Sequence, residues 1–325
     1  MSSSAQSGSQ SIPVTADNFT RAESDRAFAG IVQLAGLGKF HHARELTPLD
    51  QQPVPRCNRD TLYSMAVFDL DAGPVTVTLP DADKRFMSIQ AIDQDEYVVE
   101  VAYGAGRHTY RKETVGTRYV MVAVRVLVDP NNPEDVKAVS ALQDAIRIDQ
   151  ASTGRFEVPD WDEDSQKKVR EALLVLGTTL PDSKRMFGAR NEVDPVRHLI
   201  GIADLWGGNP EKEALYLNFT PSRNDGKTVY RLTAKDVPVD GFWSITVYNA
   251  KGYLEPNESN AYSVNNITAK KNADGSVSVQ FGGRDGDAPN TLPTMPGWNY
   301  TVRLYRPHAE ILDGTWKFPD PQPMQ

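Results

Sequence analysis

The sequence YVMVAVRVLV, from Tyr119 to Val128, decides the fold class of this chain. Its five valines alternate and share one face of an extended strand, because successive side chains of a strand point to opposite sides. The other face is also mostly apolar, and Arg125 is its polar exception. A strand covered on both faces predicts an antiparallel sheet inside a sandwich.

Shorter runs with the same two-residue period lie on both sides of this stretch. They are bounded by turn signals such as Asn-Asp-Gly and Asp-Gly. The pattern predicts a mainly β chain with two antiparallel β-sandwich domains of jelly-roll-like form, plus N-terminal and central helices. The runs are residues 75–79, 86–90 and 97–101 in the first half and 215–219, 229–232, 242–248, 276–281 and 299–305 in the second.

Helical patterns occupy the start and the middle of the chain. Apolar residues recur with a helical period over residues 15–36. Asn132-Pro133 and Asp194-Pro195 each open a helix with a capping residue and a proline at the first helical position. Residues 162–176 form a helix between them, and Val196 is predicted on the buried face of the last helix.

The change of period from two to 3.6 and back predicts the domain boundaries. A length of 325 residues exceeds the usual size of one compact domain. We expect a disordered tail over 1–12, a β-sandwich domain with a leading helix over 13–130, a helical linker over 131–210 and a jelly-roll-like domain over 211–325.

Composition excludes several classes of function. A net charge of −8 and the absence of a basic run argue against a nucleic-acid partner. No apolar stretch reaches the length of a membrane-spanning helix, so no membrane insertion is expected. Cys57 is the only cysteine, which excludes an intrachain disulfide and a cysteine metal cluster. The Ser-rich start contains no signal peptide, so the cytoplasm and an exported location after leader removal both stay open.

Three dense motifs of polar and aromatic residues lie far apart in the chain. They are NRDTLYS at 58–64, DGFWSITVYN at 240–249 and WNYTVRLYRP at 298–307. In this order, the motifs resemble those of the bacterial proteins that join domain-of-unknown-function families 1254 and 1214. The resemblance covers residues from about 14 to 323 and implies two sandwiches with linking helices. It implies no assigned mechanism, and because members often carry an export leader it favours a periplasmic location.

The first motif supplies candidate catalytic residues. Asp60 is the candidate general base and Tyr63 the candidate proton donor or orienting hydroxyl, with Asn58 as a binding residue. The competing interpretation is structural, since Asn and Asp also close turns and cap backbone groups while a tyrosine packs.

His42 and Arg44 are candidate binding residues in a loop before this motif. The spacing of the histidines matches no metal-binding pattern, so no metal is predicted. A guanidinium can hold a carboxylate or phosphate through two hydrogen bonds, which makes Arg44 a candidate anion holder.

The second half contributes five candidate binding residues. Alternation places Tyr300, Val302 and Leu304 toward the core, so Arg303 and Tyr305 point away from it, toward solvent, another domain or a cleft. Arg303 and Tyr305 suit an anionic or carbonyl-bearing ligand at the domain junction. The other three candidates are Trp243, Tyr248 and Asn249.

Two functions of different class follow from these residues. One is a hydrolase or lyase that acts on a small polar organic compound at the domain junction without a cofactor. No phosphate-binding loop, dinucleotide fingerprint or nucleophile elbow is present in the sequence. The other is a non-catalytic carbohydrate-binding, ligand-binding or assembly protein. A small molecule is the expected partner in the first case, and self-association stays open in both.

Overall fold

The computed structural model describes residues 11–52, 55–283 and 288–324. Over these ranges the chain is mostly β, with sixteen strands in open sheets and six α-helices. The predicted mainly β class is therefore confirmed. Most of the predicted tail, residues 1–12, lies outside the described residues, and Ile12 pairs with Trp161 in an isolated bridge.

The first sandwich contains eight strands in two sheets. One sheet has the order β1-β2-β7-β4-β5 and the other β6-β3-β8. The strand predicted most strongly, β7, lies at the centre of the larger sheet. The strands are β1 His41–His42, β2 Thr61–Asp69, β3 Val75–Leu79, β4 Met87–Asp93, β5 Val98–Tyr103, β6 Gly106–Tyr110, β7 Tyr119–Leu127 and β8 Arg147–Asp149.

Both faces of the larger sheet are covered, which explains its apolar composition on both sides. The face with Val122 and Val124 packs against Val77 of the smaller sheet. The opposite face, with Met121, packs against Phe28 of helix α1, Phe19–Ala35. Arg125 lies on this second face, near the C-terminal end of β7.

The second sandwich also consists of two sheets, ordered β14-β13-β10-β16 and β12-β11-β15-β9. As predicted, Tyr300, Val302 and Leu304 lie in the core between them. All strand pairs in this sandwich are antiparallel except β13–β14. The strands are β9 Ala214–Phe219, β10 Tyr230–Ala234, β11 Trp243–Tyr248, β12 Ser263–Asn265, β13 Val277–Phe281, β14 Thr291–Leu292, β15 Asn299–Tyr305 and β16 Gln322–Pro323.

The central helices pack against the first sandwich. Helix α3 places Val139 in the sandwich core, whereas α4 and α5 form a separate cluster with α1. Asn132 and Asp194 cap α3 and α5 through their side chains, as predicted. The helices are α2 Lys112–Val115, α3 Pro133–Asp144, α4 Glu163–Gly177, α5 Pro195–Leu205 and α6 Ala309–Leu312, with a 3-10 turn at Leu70–Ala72.

The predicted buried face of the last central helix was wrong at Val196, whose side chain is 66% exposed. It follows the N-cap and the proline, and it lies on the outer side of the first turn. No helix in the described ranges is long and apolar enough to cross a membrane. The exact domain boundaries and the jelly-roll form stay predictions.

Candidate functional site

The 58–64 motif lies directly against the second sandwich. The Asp60 carboxylate accepts hydrogen bonds from Ser244 Oγ at 2.6 Å and Ser263 Oγ at 3.0 Å. Next to it, Tyr248 donates its hydroxyl to the carbonyl oxygen of Cys57 at 2.9 Å. The motifs that are far apart in sequence therefore meet at the junction of the two sandwiches.

Asp60 is enclosed in this junction and is only 1% exposed. It precedes β2, and its backbone N–H donates to the side-chain oxygen of Asn58 at 2.7 Å. Both carboxylate oxygens are occupied by serine hydroxyls, so the group ties β11 and β12 to the first sandwich.

A cluster of phenols surrounds the amide of Asn58. Its Nδ2 donates to the hydroxyl oxygen of Tyr63 at 3.2 Å and to that of Tyr305 at 3.0 Å. Tyr63 is half-buried, whereas Tyr305 is fully buried. A phenol that accepts a hydrogen bond keeps its own proton for another partner. The hydroxyl of this half-buried tyrosine thus belongs to a polar group shared by both sandwiches.

Arg125 lies directly opposite Tyr63 in the β2–β7 pair. Its guanidinium is 5.3 Å from the centre of the Tyr63 ring. Burial acts to raise the pKa of Tyr63, but the positive charge of Arg125 and hydrogen bonds from neighbours such as Asn58 outweigh it, so the pKa is lowered. Burial, together with the nearby phenols of Tyr216 and Tyr63, raises the pKa of Tyr305 well above its ordinary value. Of the two adjacent phenols, Tyr63 is therefore the one that ionises first.

Two buried arginines flank this cluster, and the hydrogen bonds that they donate within the described residues go to neutral groups. Arg125 donates to Gln90 Oε1 at 2.6 Å and, at 3.4 Å, to the carbonyl oxygen of Gly207. Arg303 donates to Thr246 Oγ1, the Arg56 carbonyl oxygen and the Tyr248 hydroxyl.

Arg303 is only 3% exposed and donates to the Arg56 carbonyl oxygen, so of the alternatives left open by the sequence, it points toward the other domain and not toward solvent. No carboxylate within the described residues lies at ion-pair distance from either guanidinium. The junction therefore holds two positive charges that no bound carboxylate of the protein neutralises.

Two cavities lie beside the junction. The larger, about 620 Å³, is bounded by Phe86 and Tyr103 of the first sandwich and by Phe242 and Arg306 of the second. Tyr305 stacks on Phe242 with 4.3 Å between ring centres. The smaller cavity, about 230 Å³, is lined mainly by polar residues, which include Asp60, Arg59, Tyr262, Ser263 and Asn265.

His42 and Arg44 lie elsewhere, between β1, β2 and α3. Nδ1 of His42 is 2.8 Å from Ser64 Oγ. Arg44 forms a salt bridge with Asp144 at 2.5 Å and donates to the Ser140 carbonyl oxygen. Neither reaches the phenol cluster. The guanidinium of Arg44 already has a carboxylate partner, which connects the loop to α3.

Two further candidates serve the second sandwich itself. Trp243 points into its core and packs edge-on against Phe318. Asn249 closes a turn by accepting hydrogen bonds from the backbone N–H groups of Lys251 and Tyr253. In the described part of the chain, no group of three His, Cys, Asp or Glu is placed to hold a metal.

Sequence reasoning missed Arg125 and Tyr216 as site residues. Arg125 did carry a signal, since it is the polar exception in the most apolar strand. Tyr216 lies in β9, half-buried, and its hydroxyl accepts a hydrogen bond from Asn209 at 3.1 Å. No local pattern distinguishes it from a packing tyrosine.

Family models match both halves of the chain. Residues 37–115 match the protein of unknown function DUF1254, and residues 216–309 match DUF1214. This is a tandem DUF1254–DUF1214 protein. The first match contains the 58–64 motif, and the second contains β11, β12 and β15, whose side chains bond to it.

Solved structures confirm the fold of this tandem protein. The VPA0106 protein from Vibrio parahaemolyticus is 19% identical, with 95% of this chain and 98% of that chain covered and a TM-score of 0.72. An uncharacterized protein from Burkholderia cenocepacia is 14% identical, with 95% and 87% covered and a TM-score of 0.54. At these identities the likeness shows the fold alone. No curated protein matches the chain.

Proposed function

We propose that this tandem protein is an enzyme that performs acid–base chemistry, a hydrolysis or an elimination, on a small polar organic compound at the domain junction. The observation that carries the proposal is the position of the Tyr63 hydroxyl. It accepts a hydrogen bond from the amide of Asn58, and the half-buried residue that carries it lies beside the guanidinium of Arg125, in a cluster built from both sandwiches.

Tyr63 is the proposed acid–base group. A phenol beside a fixed positive charge is stabilised as phenolate and can both release and take up a proton during a reaction. Asn58 holds the hydroxyl in place, and Tyr305 remains a neutral hydrogen-bonding neighbour.

Asp60 is proposed as a positioning residue rather than the base. Asp60 lines the smaller cavity, but it is only 1% exposed and both of its carboxylate oxygens already accept hydrogen bonds from Ser244 and Ser263. By fixing the turn before β2, it fixes the location of Asn58 and Tyr63 against the second sandwich.

Near-ultraviolet titration of tyrosinate tests the acid–base role. The chain has 12 tyrosines, and we expect one of them to ionise at lower pH than the rest. This early step should vanish in Tyr63→Phe and persist in the matched control Tyr305→Phe. An early step that survives in Tyr63→Phe, or none in the unmodified protein, would refute the assignment.

Turnover is tested by incubating the protein with a pool of small polar metabolites and following consumption by mass spectrometry. A compound consumed by the unmodified protein and by Tyr110→Phe, a tyrosine of β6 that donates to Glu100 away from the junction, but not by Tyr63→Phe, supports catalysis at this site. Consumption that is unchanged in Tyr63→Phe contradicts it.

A non-catalytic role in binding a neutral polyhydroxyl ligand is the second candidate. The cavity of about 230 Å³ favours it, because hydroxyl, amide and carboxylate groups line it beside the Tyr262 ring. Monosaccharides should then raise the unfolding temperature equally in the unmodified protein and in Tyr63→Phe, with no saccharide consumed. If no saccharide has this effect, the second candidate fails.

A further inference from the structure

We infer that the ligand of the junction is a small organic acid and that the Arg125 guanidinium binds its carboxylate. This inference rests on the proposed function for the location of the site. It does not depend on the acid–base role of Tyr63.

The environment of Arg125 is the first argument. The residue is 8% exposed and lies at the centre of the larger sheet, paired with Tyr63 on one side and Ser88 on the other. Its recorded hydrogen-bond partners are the oxygens of Gln90 and Gly207, both neutral. A buried cation is costly unless an anion compensates it, and no carboxylate in the described ranges does so.

Three other partly buried arginines of this fold form salt bridges that connect elements of the structure. Each of them reaches a carboxylate from a different element of the fold. Arg125 departs from this arrangement although it is more buried than they are. The structural pairs are Arg85–Asp135, Arg118–Asp69 and Arg170–Glu23.

Arg125 differs from Arg303 in the burial of the groups that it contacts. Arg303 is locked by Thr246, Tyr248 and the Arg56 carbonyl oxygen inside the junction. Arg125 instead contacts half-buried groups, the Tyr63 ring and Gly207.

The bond from Arg125 to Gly207 is long, at 3.4 Å, and goes to a residue just after the end of α5. A carboxylate oxygen could replace this weak acceptor, while the 2.6 Å bond to Gln90 keeps the guanidinium plane oriented. The Nη2 group of Arg125, released from Gly207, would then donate to the incoming carboxylate.

The neighbours complete the recognition of an organic acid. A carboxylate held by Arg125 places the rest of the molecule beside the hydroxyl of Tyr63 and the amide of Asn58, which bind carbonyl or hydroxyl groups. The local excess of positive charge from Arg125, Arg303 and Arg56 attracts an anion, even though the chain as a whole has a net charge of −8.

Calorimetric titration with acetate, malonate and succinate tests the inference, with acetamide as the neutral counterpart of acetate and chloride to match ionic strength. We expect the unmodified protein to bind at least one carboxylate and not acetamide. Arg125→Gln should weaken that binding roughly tenfold or more, whereas Arg231→Gln, at an exposed position of the second sandwich, should retain it. Carboxylate binding that survives in Arg125→Gln, or that is missing in the unmodified protein, overturns the inference.

Stability separates a binding role of Arg125 from a structural one. Because its charge lacks a carboxylate partner, Arg125→Gln should fold and be at least as stable as the unmodified protein to urea. The control Arg118→Gln breaks the bond to Asp69 and should lose stability without changing carboxylate binding. A strongly destabilised Arg125→Gln would indicate a structural arginine and contradict the inference.

The two proposals fail separately. An absent early tyrosine step refutes acid–base chemistry by Tyr63 and leaves carboxylate binding intact. Absent carboxylate binding refutes the role of Arg125 and leaves the tyrosine titration unaffected.

Discussion

Ser244 and Asp60 connect the two sandwiches through a buried hydrogen bond of 2.6 Å between residues 184 positions apart in sequence. Ser263 donates to the second oxygen of the same carboxylate. A carboxylate that accepts from two hydroxyls of the other domain stabilises the interface only while both partners are present, because each group would otherwise be buried without a hydrogen bond. The hydrogen bonds of Asp60 therefore stabilise the junction at which the polar site lies.

Removal of this carboxylate should destabilise the protein. In Asp60→Ala, the hydroxyls of Ser244 and Ser263 lose their acceptor, and we expect the free energy of unfolding to fall by about 2–4 kcal/mol. A double-mutant cycle with Ser244→Ala, followed by urea unfolding, should give a coupling of about 1 kcal/mol or more. The exposed pair Thr233 and Ser278 is the control, with expected coupling near zero. A coupling energy near zero for Asp60 and Ser244, equal to that of the exposed pair, would contradict the role of Asp60.

Replacement of Arg303 by lysine should also be costly. The guanidinium donates to three separate oxygens around the junction, and the single ammonium of lysine cannot occupy all three directions. We expect Arg303→Lys to lose about 2–3 kcal/mol in urea unfolding. Arg231→Lys, at an exposed position that contacts Gln280, should change stability by less than about 0.5 kcal/mol. If the two variants behave alike, the three bonds of Arg303 contribute little.

Asp93 should make the protein less stable as pH rises. Burial and the negative charge of Asp95 raise the pKa of Asp93 to about 6, although backbone N–H groups oppose the shift. This pKa lies above the value of about 3.9 in an unfolded chain, so the folded state binds more protons between these values. The free-energy penalty for ionising the buried carboxyl therefore grows as pH rises from about 4 to 6, and it stays constant at higher pH.

Asp93→Asn tests this dependence with little change in shape. The amide oxygen can still accept from the backbone N–H groups of Asp95 and Tyr97, which bind the Asp93 oxygen at 2.8 and 2.9 Å. We expect the variant to be more stable than the unmodified protein by about 1–3 kcal/mol near neutral pH, and equally stable near pH 4. Denaturant unfolding across this range measures both. A variant that is less stable at neutral pH would refute the sign.

Gly241 should resist substitution because of space. A Cβ at this position, two residues before β11, would lie 2.7 Å from the carbonyl oxygen of Tyr305 at the end of β15, to which the Gly241 N–H donates at 3.1 Å. Gly241→Ala should lose about 2 kcal/mol or more. Gly30→Ala is the control, since nothing lies within 4 Å of its Cβ in α1, and it should gain up to about 1 kcal/mol. Thermal unfolding of both variants compares them, and a neutral Gly241→Ala would contradict the tight contact.

Local patterns in the sequence were sufficient for most of the longer strands and helices of the fold, but not for its short ones. The alternation from Tyr119 to Val128 identified the central strand, and Asn132 and Asp194 marked helix starts, because backbone geometry and capping depend on residues close together in the chain. The same alternation placed Tyr300, Val302 and Leu304 in the core. The prediction that Val196 is buried is wrong, because an apolar stripe does not show which turns of the helix other elements cover.

Only the tertiary structure decided what covers the polar faces. Alternation puts Arg303 and Tyr305 on one side of β15, but the partner of that side is a segment about 245 residues earlier, and no local pattern encodes such a contact. For the same reason Asp60, a plausible base in the sequence, proved to be enclosed by two serines. Arg125, a lone polar residue in an apolar strand, proved to lie beside Tyr63 without a carboxylate partner. The sequence determined which residues share a face, whereas the packing of the two sandwiches determined which of those faces became the candidate site.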